Sequence, residues 1–264
     1  MDSRLERFYQ SLEGKTVAFC GIGRSHEEMI RIFCEKGAKV AVRDRRNREA
    51  LGNTADKLEG WGAQLILGED YLKNLHEDMI LRTPGMKFTL PELDAAREEG
   101  CAVTSEMELF FDLCPCKIYG ITGSDGKTTT TTVIAELLQA AGKKVHLGGN
   151  IGKPLFPRLE TIQPDDVAVA ELSSFQLISM RRSPDVAVVT NVSPNHLDIH
   201  KDMDEYVGAK MNVFLHQNAF GKAVFNEDNE ITLSFVLEAR GQALTFSRQK
   251  KVPNGAWVDD EGFI

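Results

Sequence analysis

Long apolar runs are missing from this chain of 264 residues. None approaches the ~20 residues that a helix needs to cross a bilayer. The opening M-D-S-R-L-E-R-F-Y-Q mixes charges with single apolar residues and has no h-region, so no secretory signal is read there. An excess of basic charge is missing too: 31 Lys and Arg stand against 39 Asp and Glu, a formal net charge of −8. That balance excludes a general binder of nucleic acid or of anionic membrane, and any anionic ligand must be gathered locally. No C-x-x-C pair occurs among Cys20, Cys34, Cys101, Cys114 and Cys116, an odd set that suits a reducing cytosol. Cys114 and Cys116 flank Pro115 and, without a second ligand pair, read as buried or linker thiols rather than a metal site. Internal repeats and low-complexity segments are lacking as well. What remains, 42% hydrophobic and 27% charged residues, is ordinary usage for a soluble folded protein.

Short β-branched runs alternate with helical patterns from end to end, which predicts an α/β class with parallel sheets and crossover helices. Strands are expected at 15–20, 38–43, 63–68, 78–82 and 101–105, with helices over 27–36, 48–60 and 91–100. A second series of strands is expected at 117–122, 144–147, 167–172, 185–190 and 222–226, with a helix over 133–141. F-F-D-L-C-P-C-K (110–117) separates the two series, and Pro115 cannot continue a helix. Two domains are therefore expected, a Rossmann-like one at 1–112 and a P-loop ATPase-like one at 113–264.

In the first, Gly21-Ile22-Gly23 follows a strand and opens a helix, where glycines let the backbone approach a phosphate. The third glycine of G-x-G-x-x-G is absent, and His26 occupies its place, which argues against tight dinucleotide packing. Asp44 ends the second strand, where a ribose-binding acid would sit, but Arg43, Arg45 and Arg46 surround it and match phosphates better. A structural turn with a solvated charged loop is the alternative at this point.

The second glycine turn is stronger. G-I-T-G-S-D-G-K-T (120–128) stands between a strand and a helix. Amides of Gly123, Ser124, Asp125 and Gly126, with Thr129 behind them, can surround a polyphosphate. Lys127 can place its charge between β- and γ-phosphates, and the Thr128 hydroxyl can bind Mg²⁺. The strict G-x-x-x-x-G-K-[ST] spacing fails because residue 121 is Ile. The poor helix formers Thr128 to Thr132 then begin at a phosphate-facing helix start, where propensity matters least.

These strings, together with G-G-N-I-G-K-P (148–154), E-L-S-S-F-Q-L (171–177), N-V-S-P-N-H-L-D-I-H (191–200) and Y-V-G-A-K (206–210), occur in the order seen in the Mur ligases, which the chain resembles. G-I-G-R-S, R-D-R-R, R-T-P-G and T-S-E-M-E-L-F in the first part are similar to segments of that family's uridine-nucleotide domain. The branch implied joins D-glutamate to UDP-N-acetylmuramoyl-L-alanine in peptidoglycan precursor synthesis. ATP converts the carboxylate to an acyl phosphate, which the amine attacks, in the cytoplasm. The resemblance implies Lys127, Glu171, His196 and Lys210 as catalytic, with Thr128, Glu171, His196 and a carbamylated Lys210 about Mg²⁺. It implies Asn150, Ser173 and Gln176 on the muramoyl-alanine substrate, capping and turn duty being the alternative. Arg24, Ser25, Asp44, Arg45, Arg46, Thr83, Pro84 and Gly85 surround the expected uridine position. Asp198 and His200 are left between support and loop surface.

Three other functions compete: another Mur-type or folylpolyglutamate-type ligase, an NAD-dependent oxidoreductase, and a nucleotide-binding chain without turnover. The last draws on length. The family's third, amino-acid-binding domain has no counterpart before Ile264, and K-V-P-N-G-A-W-V-D-D-E-G-F-I reads as a β-hairpin inside the central domain. The expectation is a chain that keeps its phosphate sites and does not turn over alone.

Overall fold

The computed structural model describes residues 3–264, apart from the side chains of Ser3 and Arg24. It divides into two compact units, Met1–Leu113 with Pro154–Thr161, and Cys114–Lys153 with Ile162–Ile264. Among the described residues no helix is long and apolar enough to cross a membrane.

In the first unit, β1 (Thr16–Cys20), β2 (Lys39–Asp44), β3 (Gln64–Leu67), β4 (Met79–Arg82) and β5 (Ala102–Thr104) form one sheet in the order β3-β2-β1-β4-β5. Every pairing is parallel, so both faces need helices, and the buried strands are short apolar runs rather than alternating ones. α1 (Ser3–Ser11), α2 (Arg24–Glu35), α3 (Arg48–Leu51), α4 (Asn53–Gly60), α5 (Pro91–Glu98) and α6 (Glu106–Leu113) complete it. The helix expected over 48–60 is broken at Gly52, whose φ of 52° lies in the left-handed region. Phe19, Phe33 and Phe8 form an edge-to-face aromatic core.

One segment departs from chain order. The 3₁₀ turn Phe156–Thr161 belongs to the first unit, with Phe156 against Phe8 and Phe33. The buried Glu106 carboxylate secures it by accepting from the amides of Leu155 at 3.1 Å and Phe156 at 3.2 Å.

The second unit holds β6 (Lys117–Thr122), β7 (Val145–Gly149), β8 (Val167–Glu171), β9 (Val186–Val189), β10 (Lys222–Asn226), β11 (Gln242–Ser247) and β12 (Gly255–Trp257). The order is β12-β11-β10-β9-β6-β8-β7, again all parallel. Its helices are α7 (Lys127–Ala140), α8 (Ser174–Leu177), α9 (Met203–Leu215) and α10 (Glu230–Ser234). The hairpin expected near the end is corrected here. Gly255, Ala256 and Trp257 pair in parallel with Thr245, Phe246 and Ser247, so the strand arrives by a crossover. Ile121, Ala135, Val169 and Val188 pack one apolar cluster between α7 and the sheet.

Candidate nucleotide and metal site

Open parallel sheets bind ligands beyond the carboxyl ends of their strands, where the strand order reverses. In the second unit that place lies between β6, from which the chain turns to β8 and β7, and β9, which returns on the other side. The loop Gly123 to Gly126 leaves β6 there, and Gly126, with φ 75°, starts α7 with no side-chain cap. The first turn of α7 has no acidic residue, so its free amides keep their positive potential. Gly123 tolerates no side chain, since a Cβ would stand 1.9 Å from Thr190 Oγ1.

The loop is clamped from the end of β9. The Ser124 amide donates to Asn191 O at 2.9 Å, and the Asp125 amide to Asn191 Oδ1 at 3.0 Å. The Thr190 hydroxyl and Asn191 Nδ2 both donate to Asp125 O, at 2.6 and 3.0 Å. Ser124 Oγ meets Tyr206 OH at 2.9 Å and donates to Ser193 O at 2.9 Å. Thr190, Asn191 and Tyr206 were not singled out from sequence. Asn191 and Tyr206 open the strings 191–200 and 206–210, which mark them without giving them a role, and Thr190 has only its place at a strand end.

The charged groups converge on this loop. Lys127 Nζ folds over it and donates to Gly123 O at 3.0 Å and Ser124 O at 2.8 Å. Lys210, 2% exposed, reaches the same carbonyl from α9, with Nζ 2.7 Å from Gly123 O and 4.6 Å from the centroid of the Tyr206 ring. Burial, with the neighbouring Lys127 adding to it and Asp125 opposing, lowers the Lys210 pKa to about 7. The amine is thus readily neutral. Thr128 is exposed and donates from Oγ1 to Glu171 Oε2 at 2.7 Å. Glu171 is buried at the end of β8, and its Oε1 accepts from Asn150 Nδ2 at 2.8 Å. Thr129 is exposed on the first turn of α7. Farther along, Thr131 and Thr132 donate to the Lys127 and Thr128 carbonyls at 2.7 and 2.9 Å, which satisfies those two hydroxyls within the helix.

Ser173 caps α8, and Gln176 Oε1 accepts from its amide at 3.0 Å, a complete capping box. His196 is exposed with φ 55°, and its ring lies 5.3 Å from Phe175 and 6.5 Å from Tyr206. Asp198 is exposed, whereas His200 is buried against Phe175 and Tyr206. A hydroxyl and a carboxylate in contact form the hard oxygen set that Mg²⁺ takes, together with waters and phosphates, so Thr128 and Glu171 fit that ion. Among the described residues no three His, Cys, Asp or Glu side chains cluster as a ready-made metal cage.

In the first unit, the turn after β1, Thr83 to Gly85 after β4, and Asp44 to Arg46 at the end of β2 share the carboxyl edge of the sheet. Gly21 has φ 84°, and a Cβ there would stand 3.0 Å from Thr83 Oγ1. The buried Asp44 accepts from the Ile22 amide at 2.8 Å and from Arg46 Nε at 2.9 Å. Burial works to raise its pKa, but the bonds from Arg46 and Ile22 hold it below the usual carboxylate value. Arg45 and Arg46 are exposed. Arg43 is not part of a phosphate cluster, which corrects the sequence expectation. It is buried on Glu77 at 2.8 Å and donates to the carbonyls of Tyr71, Lys73 and Asn74. Ser25 bonds to Glu106, which places its hydroxyl in the anchor of the 3₁₀ turn. Arg24 begins α2, and its side chain lies outside the described residues. His26 is buried, with Nδ1 2.7 Å from Gly21 O, so it braces the glycine turn from beneath.

With this geometry in place, comparison with known proteins finds that residues 121–260 match the Mur ligase middle domain. The chain belongs to the Mur ligase family. It is 49% identical over 265 residues to UDP-N-acetylmuramoylalanine–D-glutamate ligase of Acetivibrio thermocellus, spanning 100% of this chain and 57% of that protein. A protein of the same name from Clostridium botulinum is 46% identical over 261 residues, 98% of this chain and 57% of that one. This Mur ligase chain therefore spans a little over half the length of the curated relatives it matches. Among solved structures it is similar in fold to UDP-N-acetylmuramate:L-alanyl-gamma-D-glutamyl-meso-diaminopimelate ligase of Neisseria meningitides, with TM-score 0.59 and 18% identity over 91% of this chain and 82% of that one. The UDP-N-acetylmuramate–alanine ligase of Thermotoga maritima aligns with TM-score 0.50 and 20% identity, over 89% of this chain and 53% of that one.

Proposed function

We propose that the chain carries the nucleotide-handling parts of an ATP-dependent ligase that joins D-glutamate to UDP-N-acetylmuramoyl-L-alanine, a cytoplasmic step of peptidoglycan precursor synthesis. The observation that carries this reading is the meeting of Lys127, Lys210 and Asp125 with the Thr128–Glu171 pair around one phosphate loop. The names of the 46–49% identical relatives support the acceptor and the amino acid.

Amide formation from a carboxylate needs a better leaving group than water, and phosphorylation by ATP supplies one. The free amides at the α7 N-terminus hold the triphosphate, the Ser124 and Asp125 amides being taken by Asn191, and Lys127 swings from the loop carbonyls onto its charge. Thr128 and Glu171 would hold Mg²⁺, which when bound neutralises the phosphate oxygens. Lys210 would react as a neutral amine with CO₂, its nitrogen bonding the carbon and giving up one proton to solvent. The carbamate, an anion where a cation stood, would serve with His196 at the metal-facing side. Asn150, Ser173 and Gln176 would orient the muramoyl-alanine carboxylate, and the Gly21, Asp44 and Thr83 turns of the first unit would take the uridine nucleotide.

Binding tests this directly. Calorimetric titration should show that Mg·ATP and UDP-N-acetylmuramoyl-L-alanine each bind the chain, while NADH does not. Where amide product does form with both substrates present, D-glutamate should be the preferred amine, and product with L-alanine but not D-glutamate would sink the assignment.

A further inference from the structure

His200 has no chemical role in the scheme above, yet it alone is buried among residues 193–202. Its Nδ1 lies 3.0 Å from Glu205 Oε2, and its Nε2 2.9 Å from Ser174 Oγ. A carboxylate only accepts, so Nδ1 carries the proton and donates to Glu205, which leaves Nε2 to accept from the Ser174 hydroxyl. Glu205 thereby selects the tautomer that holds Ser174. The imidazole also stacks on Phe175 at 5.0 Å and 4°, and meets Tyr206 edge-on at 5.3 Å. Phe175 in turn packs against the His196 ring at 5.3 Å, and the His200 amide donates to His196 O at 3.0 Å.

Three pieces of the site meet at this one ring. α8 brings Ser174 and Phe175, the loop after β9 brings His196, and α9 brings Glu205 and Tyr206 and then Lys210. His196 stands at φ 55°, a conformation that non-glycine residues keep only when their surroundings fix it. Residues 194–199 are all exposed; Asn195 Oδ1 accepts from the His196 amide at 2.8 Å, and the contact that ties the turn to the interior is the His196 ring on Phe175.

We propose that His200 is a positioning residue: through Ser174, Phe175 and Glu205 it fixes the His196 turn against α8 and α9, so that His196 and Lys210 face the same metal-bound nucleotide. This rests on the nucleotide reading above. The tests use the 264-residue chain with His200→Phe, which keeps the ring stack and loses both nitrogens, His200→Gln, which keeps hydrogen bonding at the position, and Ser174→Ala, which removes one arm.

Two readouts are made. Amide hydrogen exchange without ligand should quicken in His200→Phe over 195–202 and 174–177 and stay unchanged over 123–128. In titrations of a non-hydrolysable ATP analogue, the half-saturating Mg²⁺ concentration should rise about tenfold in His200→Phe, and less in His200→Gln and Ser174→Ala, with metal-free affinity kept. An unchanged Mg²⁺ requirement in His200→Phe overturns the proposal, as does a general loss of thermal stability without a Mg²⁺ effect. Should His200→Phe fail to fold, an unchanged Mg²⁺ requirement in Ser174→Ala overturns it. A parent chain that binds no Mg-nucleotide would refute the functional reading, and the exchange pattern would then decide this one alone: faster exchange confined to the two segments supports positioning, and unchanged exchange contradicts it.

Discussion

The Thr128 hydroxyl donates to Glu171 Oε2 at 2.7 Å, tying the first turn after the phosphate loop to the carboxyl end of β8. Asn150 holds the other carboxylate oxygen at 2.8 Å. One acid is thus oriented from two sides, the preorganisation that the proposed Mg²⁺-facing role of Glu171 needs. Glu171→Gln keeps the size and removes the charge. Nucleotide binding in its absence of Mg²⁺ should be unaffected, while the gain in affinity that Mg²⁺ confers should fall by about tenfold or more. Calorimetry at two Mg²⁺ levels reads both quantities.

Gly149 stands against the same strand end. Its φ is 95°, and a Cβ there would fall 2.3 Å from the Glu171 carbonyl oxygen. Because the obstacle is backbone, Gly149→Ala must displace the 148–153 loop or the end of β8, at a cost of about 2 kcal/mol or more. Urea unfolding monitored by fluorescence should show the loss, and Asn150 should no longer hold Glu171. Parent-like stability would mean that the loop adjusts freely.

His26 gives the first unit a pH dependence. Burial lowers its pKa from 6.5 to about 4, against the hydrogen bond to the Gly21 carbonyl, which raises it. The unfolded chain therefore binds more protons between those values, and stability rises with pH across that window. Stability from this group is complete above about pH 6.5 and falls by about 3 kcal/mol as the pH drops to about 4. In His26→Phe this part of the slope should vanish from the thermal midpoint measured against pH. An unaltered slope would assign the acid sensitivity elsewhere.

Lys210 supplies a second titration. Since burial and Lys127 bring its pKa to about 7, the fraction of neutral amine climbs as the pH passes through that value. Carbamate trapped by alkylation should therefore increase on the Lys210 peptide from below to above about pH 7 under CO₂, ahead of the exposed lysines. Absence of a labile CO₂ adduct on that peptide, with unchanged Mg-nucleotide binding by Lys210→Ala, would remove the carbamate from the scheme.

Sequence and structure agree where the physics is local. Buried parallel strands are continuous apolar runs, and a phosphate loop needs its glycines, lysine and threonine in consecutive order, so β6 and the loop Gly123 to Thr128 are legible in the sequence, whereas α7 begins at Lys127, six residues before the expected 133–141, and takes in the threonine run. What was not legible depends on partners far along the chain. F-P-R-L-E-T carries no periodicity, and its place in the first unit is set by Glu106, about fifty residues away. The clamp of Thr190, Asn191 and Tyr206 on Ser124 and Asp125 spans 65 to 82 residues. Arg43 and Arg46 are near neighbours in sequence, but only strand geometry sends one to Glu77 in the interior and leaves the other on Asp44. P-N-G before the last strand reads as a hairpin turn, yet β11 there already has β10 on one side and takes β12 in parallel on the other.

The central claim is that this loop binds a nucleoside triphosphate with Mg²⁺ through Lys127 and the Thr128–Glu171 pair. Its most direct test is calorimetric titration of a non-hydrolysable ATP analogue into the 264-residue chain and its Lys127→Ala variant, with and without Mg²⁺. The account predicts Mg²⁺-enhanced one-to-one binding by the parent and a loss of at least about tenfold in the variant. Equal affinity in the two proteins, or binding indifferent to Mg²⁺, would contradict it.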